Sequence, residues 1–579
     1  MISLTDEQKR EIGQHFVFGF HGHVVSEDIK TLIRDYHLGN IILMKRNVQS
    51  IAKVHALVQE LQAFAKACGH EKPLMIGIDQ ENGLVSAFSS TATYDAGTQF
   101  PGAMALAATG SPDLAEQVSS ASAREMKMAG INWAYRHAHT ISPVADVNSD
   151  PRNPVIGVRS FGDGKANRSY ILTDPEKVGL FATAVARGLT SAGVAPSPKH
   201  FPGHGDTHVD SHLALPVIRH SLATLLITAL PPFQALISTF PSATIMTGHM
   251  ALPLVTGDEV PCSLSRKITT DLLRTQMGYE GVVVTDCLEM DAVVNGYGSE
   301  GGAVLALQAG ADVVMICHTF ERQRGAIEAT WKAVQDGGWT AADINASAQR
   351  VRALKEKFAG SWEEVLSRML DEAELQKLKA VNAELSRKAY AASVAVVRGP
   401  VSGIISGVKT VLVLTPEMQS LNKAVDDADG VLRTGEGGTV RNTAGPSYLA
   451  LAALIARRTL SSQHIVYSSK ALDKEELRGA DVIIFVTRNA DQSPWQMEHL
   501  ETLLEAKKKA GSEEIKADIV VLQSCGPYDL LKLRGALTVP SLACFEFTPP
   551  AFEAAVNVLL GDKEATGIVP VLGGVVTGL

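Results

Sequence analysis

Gly281-Val-Val-Val-Thr-Asp286 is a run of three valines and a threonine that opens on a glycine and ends in a carboxylate. A short, unbroken apolar run of β-branched residues reads as a strand covered on both faces, as in a parallel sheet. Helical patterns flank it, Ser265–Met277 before and Glu300–Ala309 after. The same unit recurs outward through residues 1–350. Strands are expected at Phe16–Gly19, Gly39–Met44, Leu74–Asp79, Ile131–Tyr135, Gly193–Pro198, Ala243–Gly248, Gly281–Thr285 and Ala311–Cys317. Amphipathic helices are expected between them at Ser26–Tyr36, Gln49–Ala67, Pro112–Met128, Asp174–Ala192 and Ala223–Ser238. Eight strands alternating with helices predict an α/β fold of the (β/α)8 TIM-barrel type. The alternative is an open doubly wound sheet, but no Gly-x-Gly-x-x-Gly follows the first strand, which disfavours a dinucleotide fold.

At 579 residues the chain is too long for one core. Residues 351–398 read as a charged helical linker. A second βα series begins at Lys409-Thr-Val-Leu-Val-Leu-Thr415 and continues at Ile465–Ser468, Asp481–Thr487, Ile519–Gln523 and Ser541–Glu546. Residues 399–579 are therefore expected to form a smaller C-terminal α/β sandwich domain. Two irregularities are expected in the barrel. Pro196 and Pro198 lie in an interior strand and, two residues apart, lose hydrogen bonds toward the same neighbour, so that strand should be short or irregular. Tyr135-Arg-His-Ala-His-Thr-Ile-Ser142 reads as extra sequence before Pro143-Val-Ala-Asp-Val147.

The net charge is −9, no Lys/Arg-rich run stands out, and aromatic residues are only 6%. Nucleic acid is therefore not expected as a partner. No segment has the roughly 18 apolar residues that a membrane helix needs. Met1-Ile-Ser-Leu-Thr-Asp-Glu-Gln-Lys-Arg10 reads as a capped helix start rather than a signal peptide. Six cysteines lie scattered without paired spacing. Together these features place the protein in the cytoplasm, with thiols kept reduced.

Lys199-His-Phe-Pro-Gly-His-Gly-Asp-Thr-His-Val-Asp-Ser-His212 puts four histidines, two aspartates and a lysine on one stretch. Pro202, Gly203 and Gly205 prevent a helix there, so the stretch is a loop, and ionisable groups on a loop held by a rigid scaffold point to catalysis. The same helix breakers argue against zinc on His200, His204, His208 and His212, whose spacing would suit a helix face. In a barrel, chemistry sits at the C-terminal ends of the strands. Asp79, Lys199, His200, His249 and Asp286 all fall at such ends. An acid/base loop with a strand-end carboxylate is the inventory of a glycosidase or a related hydrolase.

These residues resemble glycoside hydrolase family 3, and within it the β-N-acetylhexosaminidases. The resemblance rests on the 199–212 loop, Ile78-Asp-Gln-Glu81, Arg159-Ser-Phe-Gly162, Met246-Thr-Gly-His249 and Val284-Thr-Asp286 with Glu289-Met290. It implies that Asp286 is the nucleophile, His212 the general acid/base and Asp210 its orienting partner. It implies too that Asp79, Arg159, Lys199 and His200 contact the sugar. His249 is added to that group as a strand-end residue, although a purely structural histidine is an equal reading. The chemistry agrees, because an imidazole with an unperturbed pKa of ~6.5 can give and take a proton near neutrality without adding a second anion beside the nucleophile. The implied activity is a retaining exo-β-N-acetylglucosaminidase acting on a small amino-sugar glycoside or oligosaccharide, with no metal and no cofactor. The alternatives are a phosphorylase or transglycosylase, a β-glucosidase of the same family, and a non-catalytic sugar-binding protein. One departure stands out: Asp79-Gln-Glu-Asn-Gly-Leu-Val85 lacks the two arginines that the family pattern carries there.

Overall fold

The computed structural model describes residues 4–90, 95–140, 145–148, 153–162, 174–241, 244–408, 410–418, 432–435, 438–441, 444–470, 472, 477–508, 515–530 and 539–571. Its first sheet is the expected α/β barrel. The parallel strands are β1 (Phe16–Phe18), β2 (Asn40–Leu43), β3 (Met75–Asn82), β5 (Trp133–Thr140), β6 (Ile245–Thr247), β7 (Val283–Cys287) and β8 (Val313–Ile316). A two-residue strand, β4 (Val85–Ser86), folds back antiparallel on β3. Pairing runs from β5 through β3, β2, β1, β8 and β7 to β6.

Segment 193–201 fills the gap between β5 and β6, but not as a regular strand. It makes single bridges, Trp133 to Ala195 and Phe201 to Thr247. The carbonyls of Pro196 and Pro198 accept from Thr244 N and Met246 N at 2.9 and 2.8 Å. Each proline thus keeps its acceptor toward β6 and has no N–H to return, which is the one-sided loss that their spacing predicts. The extra sequence expected at 135–142 appears as a register jump in the pairing with β3, from Asp79–Tyr135 to Gln80–Thr140. The segment continues β5 as far as Thr140, and residues 141–142 lie outside the described ones.

Alternation along the strands sorts the core. Val17, Ile42, Met75, Trp133, Met246, Val284 and Met315 fill the barrel interior. Phe16, Phe18, Ile41, Leu43, Ile76 and Ile78 face the helices. The expected helix over 223–238 is two helices, Leu222–Ile227 and Pro231–Thr239. Pro231 and Pro232 start the second because proline fits a first turn and not a helix interior. Opposite the strand ends that carry the site, Asp312 ties the barrel bottom together. It accepts from Val283 N, Arg274, Ser347 and Arg350 at 2.6–2.9 Å. Burial alone would raise its pKa, but the two guanidiniums hold it below the usual range.

The second sheet contains β10 (Val411–Pro416), β13 (Ser462–Tyr467), β14 (Val482–Thr487), β15 (Asp518–Gln523) and β16 (Ser541–Ala543), all parallel. Its order is β13-β10-β14-β15-β16-β9. Strand β9 (Ala395–Arg398) is antiparallel and comes from the end of the expected helical linker, where Ala-Val-Val-Arg completes the sheet edge. Apolar residues on both faces make this a sandwich: Val411 and Val413 pack on one side, Leu412 and Leu414 on the other. A separate hairpin pairs β11 (Leu432–Gly435) with β12 (Gly438–Arg441). Among the described residues no helix is long and apolar enough to cross a membrane.

Glu546 follows β16 and joins the two domains. Its Oε2 accepts the barrel's Gly102 N at 3.0 Å, and Thr548 Oγ1 donates to Oε1 at 3.1 Å. Complete burial pushes its pKa up to about 7, against the opposing hydrogen bonds from Tyr390, Gly102 and Thr548. Because folding raises this acid's pKa, the folded chain binds the proton more tightly than the unfolded one. Stability from this group is therefore lost as pH rises from the ordinary ~4.3 through about 7. Glu546→Gln, which keeps the neutral form, is expected to raise the urea midpoint over the parent more at pH 8 than at pH 5. Parallel pH profiles for the two proteins contradict this.

Candidate active site

The polar residues at the C-terminal mouth of the barrel are organised by two buried carboxylates, Glu81 and Asp146. Glu81 sits near the end of β3, on the same face of the strand as Asp79. Its Oε1 is 3.1 Å from Nζ of Lys199, and its Oε2 accepts from Nε of Arg159 at 3.0 Å. A second guanidinium nitrogen of Arg159 reaches Oε1 at 3.3 Å. Lys199 is fully buried and Arg159 nearly so, so this shared carboxylate is what makes two desolvated cations tolerable. Arg159 is also fixed by the Val155 carbonyl, within the turn Gly157–Arg159.

Asp146 is fully buried and stitches the 199–212 loop to the barrel. Its Oδ2 accepts the backbone N and Nδ1 of His200 at 3.1 and 2.6 Å, and its Oδ1 accepts His204 N at 2.6 Å. Gly205 must be glycine, since a Cβ there would lie 1.6 Å from the Val147 carbonyl oxygen. Phe201 packs edge-on against Phe233 and anchors the loop in the core. His204 is buried between Ser211 Oγ (3.0 Å from Nε2) and Thr207 Oγ1 (2.9 Å from Nδ1). Burial lowers its pKa to about 4, so it is neutral at pH 7 and shapes the loop.

The far end of the loop is a tight turn. Asp210 Oδ1 accepts both the backbone N and Nδ1 of His212, at 2.9 and 2.6 Å. Burial would raise the Asp210 pKa, but the bond from His212 and its charge hold the carboxyl below the usual range. The expected pair is thus in direct contact across two residues, because a turn replaces the extended backbone. The His212 side chain is 17% exposed, against 2% for His200. Ala292 N donates to Ser211 O at 3.4 Å, docking this turn on the segment that follows β7. Asp286, in β7, is nearly buried, and its Oδ1 accepts Cys287 N at 2.8 Å. Asp286 and His212 both act electrostatically on His204 and on His249.

Of the sequence-derived residues, Lys199 and Arg159 meet at Glu81, and His212 meets Asp210. Asp79 is fully buried in β3 beside them. His249 is placed for support: Nε2 donates to the Cys287 carbonyl at 2.9 Å, and Nδ1 accepts from Ser263 Oγ at 2.7 Å. With both nitrogens so engaged, the ring steadies the strand end behind Asp286. The four loop histidines do not share a metal-ligand arrangement among the described residues. Glu81 and Asp146 are the residues that sequence reasoning passed over. A requirement of one anion for each buried cation would have singled out Glu81, two residues after Asp79.

Residues 5–354 match the profile of the Glycosyl hydrolase family 3 N terminal domain. A Beta-hexosaminidase A of Pseudoalteromonas piscicida is 34% identical over 302 residues, 50% of this chain and 47% of that protein. The chain therefore spans about half the length of that relative. Among solved structures, a fungal multi-domain GH3 beta-N-acetylglucosaminidase with a GCN5-related glucosamine N-acetyltransferase region superposes with a TM-score of 0.82 at 34% identity, over 97% of this chain and 60% of that one. The GH3 beta-N-acetylglucosaminidase from Paenibacillus sp. str. FPU-7 superposes with a TM-score of 0.80 at 31% identity, over 99% of this chain and 100% of that one. With the profile covering more than half of its length and the barrel mouth carrying the matching residues, the chain belongs to glycosyl hydrolase family 3.

Proposed function

We propose that the protein is a retaining exo-β-N-acetylglucosaminidase. The observation that carries this reading is the Asp210–His212 contact at 2.6 Å, on a turn docked to the segment that follows Asp286. The relatives' names, which include beta-hexosaminidase and beta-N-acetylglucosaminidase, support the substrate class.

In the first step Asp286 attacks the anomeric carbon, and His212 Nε2 gives its proton to the departing glycosidic oxygen. The C–O bond breaks and a glycosyl–Asp286 ester forms. In the second step water attacks the same carbon, His212 takes the water proton, and the carboxylate is released. Asp210 holds Nδ1–H, which fixes the tautomer so that Nε2 is the proton-transferring atom. Retention requires the reacting groups to close to about 5–6 Å. Asp79, Arg159, Lys199 and His200 are assigned to the sugar hydroxyls. His249, with both nitrogens engaged, is assigned to support. The scattered, unpaired spacing of the six cysteines in the sequence supports a reducing compartment such as the cytoplasm.

Asp286→Ala is expected to reduce kcat on an aryl N-acetylglucosaminide by at least about 1000-fold, and near-parental turnover overturns its assignment. His212→Ala should slow unactivated oligosaccharides far more than nitrophenyl glycosides, whose leaving groups need little protonation. Equal losses on both substrates count against a general acid. Proton NMR should show β-N-acetylglucosamine as the first-formed anomer, whereas α product would indicate single displacement. Glu81→Gln removes the carboxylate charge that Lys199 and Arg159 share. It should lower the melting temperature and raise KM, and an unchanged melt and KM would contradict its role as their shared anchor.

A further inference from the structure

The ends of β7 and β8 bring together groups that the proposed glycosidase chemistry does not use. Cys287 directly follows Asp286, and Cys317-His318 directly follows β8. One ligand atom from each of Cys287, Cys317 and His318 lies within 4.8 Å of the other two. Both sulfurs are buried, and His318 is partly so. From these three side chains we infer a site for one thiophilic divalent cation of the Zn2+ class at the floor of the barrel mouth.

The geometry is close to what such an ion needs. With Zn–S near 2.3 Å and Zn–N near 2.0–2.1 Å, tetrahedral ligands stand about 3.5–3.8 Å apart, so the cluster has to contract by only about 1 Å. Two thiolates and an imidazole suit zinc rather than magnesium or calcium, which prefer oxygen. Three protein ligands leave a fourth position for water.

The surroundings also fit. Glu289 accepts the backbone N–H groups of Cys317, His318 and Thr319 at 3.0, 2.7 and 3.0 Å, which clamps the two β8-end ligands against β7. Its Oε2 lies 3.8 Å from Cys287 Sγ. Asp79 and Glu289 both act electrostatically on Cys317, so the site sits in a negative field. Opposing charges come from Arg322, whose Nη1 is 4.0 Å from Glu289 Oε1, and from Arg46, whose Nη1 donates to His318 Nδ1 at 3.2 Å. Coordination by that ring costs this bond, while Arg46 keeps its bonds to the Phe20 and Cys317 carbonyls. Deprotonating two buried thiols links binding to proton release. This site is separate from the histidine loop, and its test does not depend on the catalytic reading.

The experiment uses the full chain, reduced and stripped by a chelator, titrated with Zn2+ against a chromophoric competitor and, separately, with Co2+. The expected result is one ion per chain and a near-ultraviolet thiolate-to-cobalt charge-transfer band. Cys287→Ser and Cys317→Ser should each weaken Zn2+ binding by at least about tenfold, and the double variant should lose the band. Melting curves establish that the variants fold, and His318→Ala, which leaves both sulfurs in place, should also weaken binding. Absence of the cobalt band in the parent protein, or parental Zn2+ affinity in the double variant, overturns the site.

Discussion

Two cations at the mouth of the barrel, Lys199 and Arg159, lie out of water and share one carboxylate, Glu81. Desolvating a charge costs several kcal/mol unless it is paired and hydrogen-bonded, so this arrangement permits little variation in geometry. It couples three parts of the chain that are far apart in sequence: the end of β3, the turn at Gly157–Arg159 and the irregular segment 193–201. Asp146 repeats the device one layer away, with one carboxylate holding a side chain and two backbone N–H groups of the 199–212 loop. The loop's ionisable groups are thus held by buried anions more than by the loop backbone.

That loop begins where the barrel is least regular. The prolines at 196 and 198 remove donors toward β6, and the segment survives on their carbonyls and two single bridges. A strand with a weakened ladder can turn sharply at its end, and here it turns into Lys199 and His200. On the other side β7 and β8, whose register shifts between Val284 and Cys287, present Asp286 and the Cys317-His318 end. His249 and Glu289 brace these ends by hydrogen bonds to strand-end backbone. In the proposed reaction the loop that Asp146 anchors carries the group that gives and takes the proton, and β7 carries the nucleophile.

Much of this was legible in the residues. The valine run at 282–284 and its counterparts placed seven of the eight expected barrel strands, because strands buried on both faces read as continuous apolar runs; the exception is 193–198, which makes only single bridges. The proline pair located the weak point of the ladder. The helix expected at Pro112–Met128 matches to the residue, and in the structure Ser111 caps it with a proline in the first turn. What escaped were features set by tertiary contact. Ala395–Arg398 is too short to stand out from the helical linker, and it becomes a strand only because β16 offers an edge. Neither Glu81 nor Asp146 was assigned a role by the motifs, because their importance comes from which cations and N–H groups the fold delivers to them. His249 looked like a ligand at a strand end, but its partners Ser263 and the Cys287 carbonyl come from elsewhere in the fold.

The most direct test of a covalent pathway through Asp286 is to trap the intermediate. The enzyme would be quenched with a slow fluorinated N-acetylglucosaminyl donor, digested, and analysed by peptide mass spectrometry. A single glycosyl adduct on Asp286, in the peptide that carries Val283–Cys287, is the result required. A protein that turns the donor over with no adduct, or with the sugar on another side chain, would contradict the proposed double displacement.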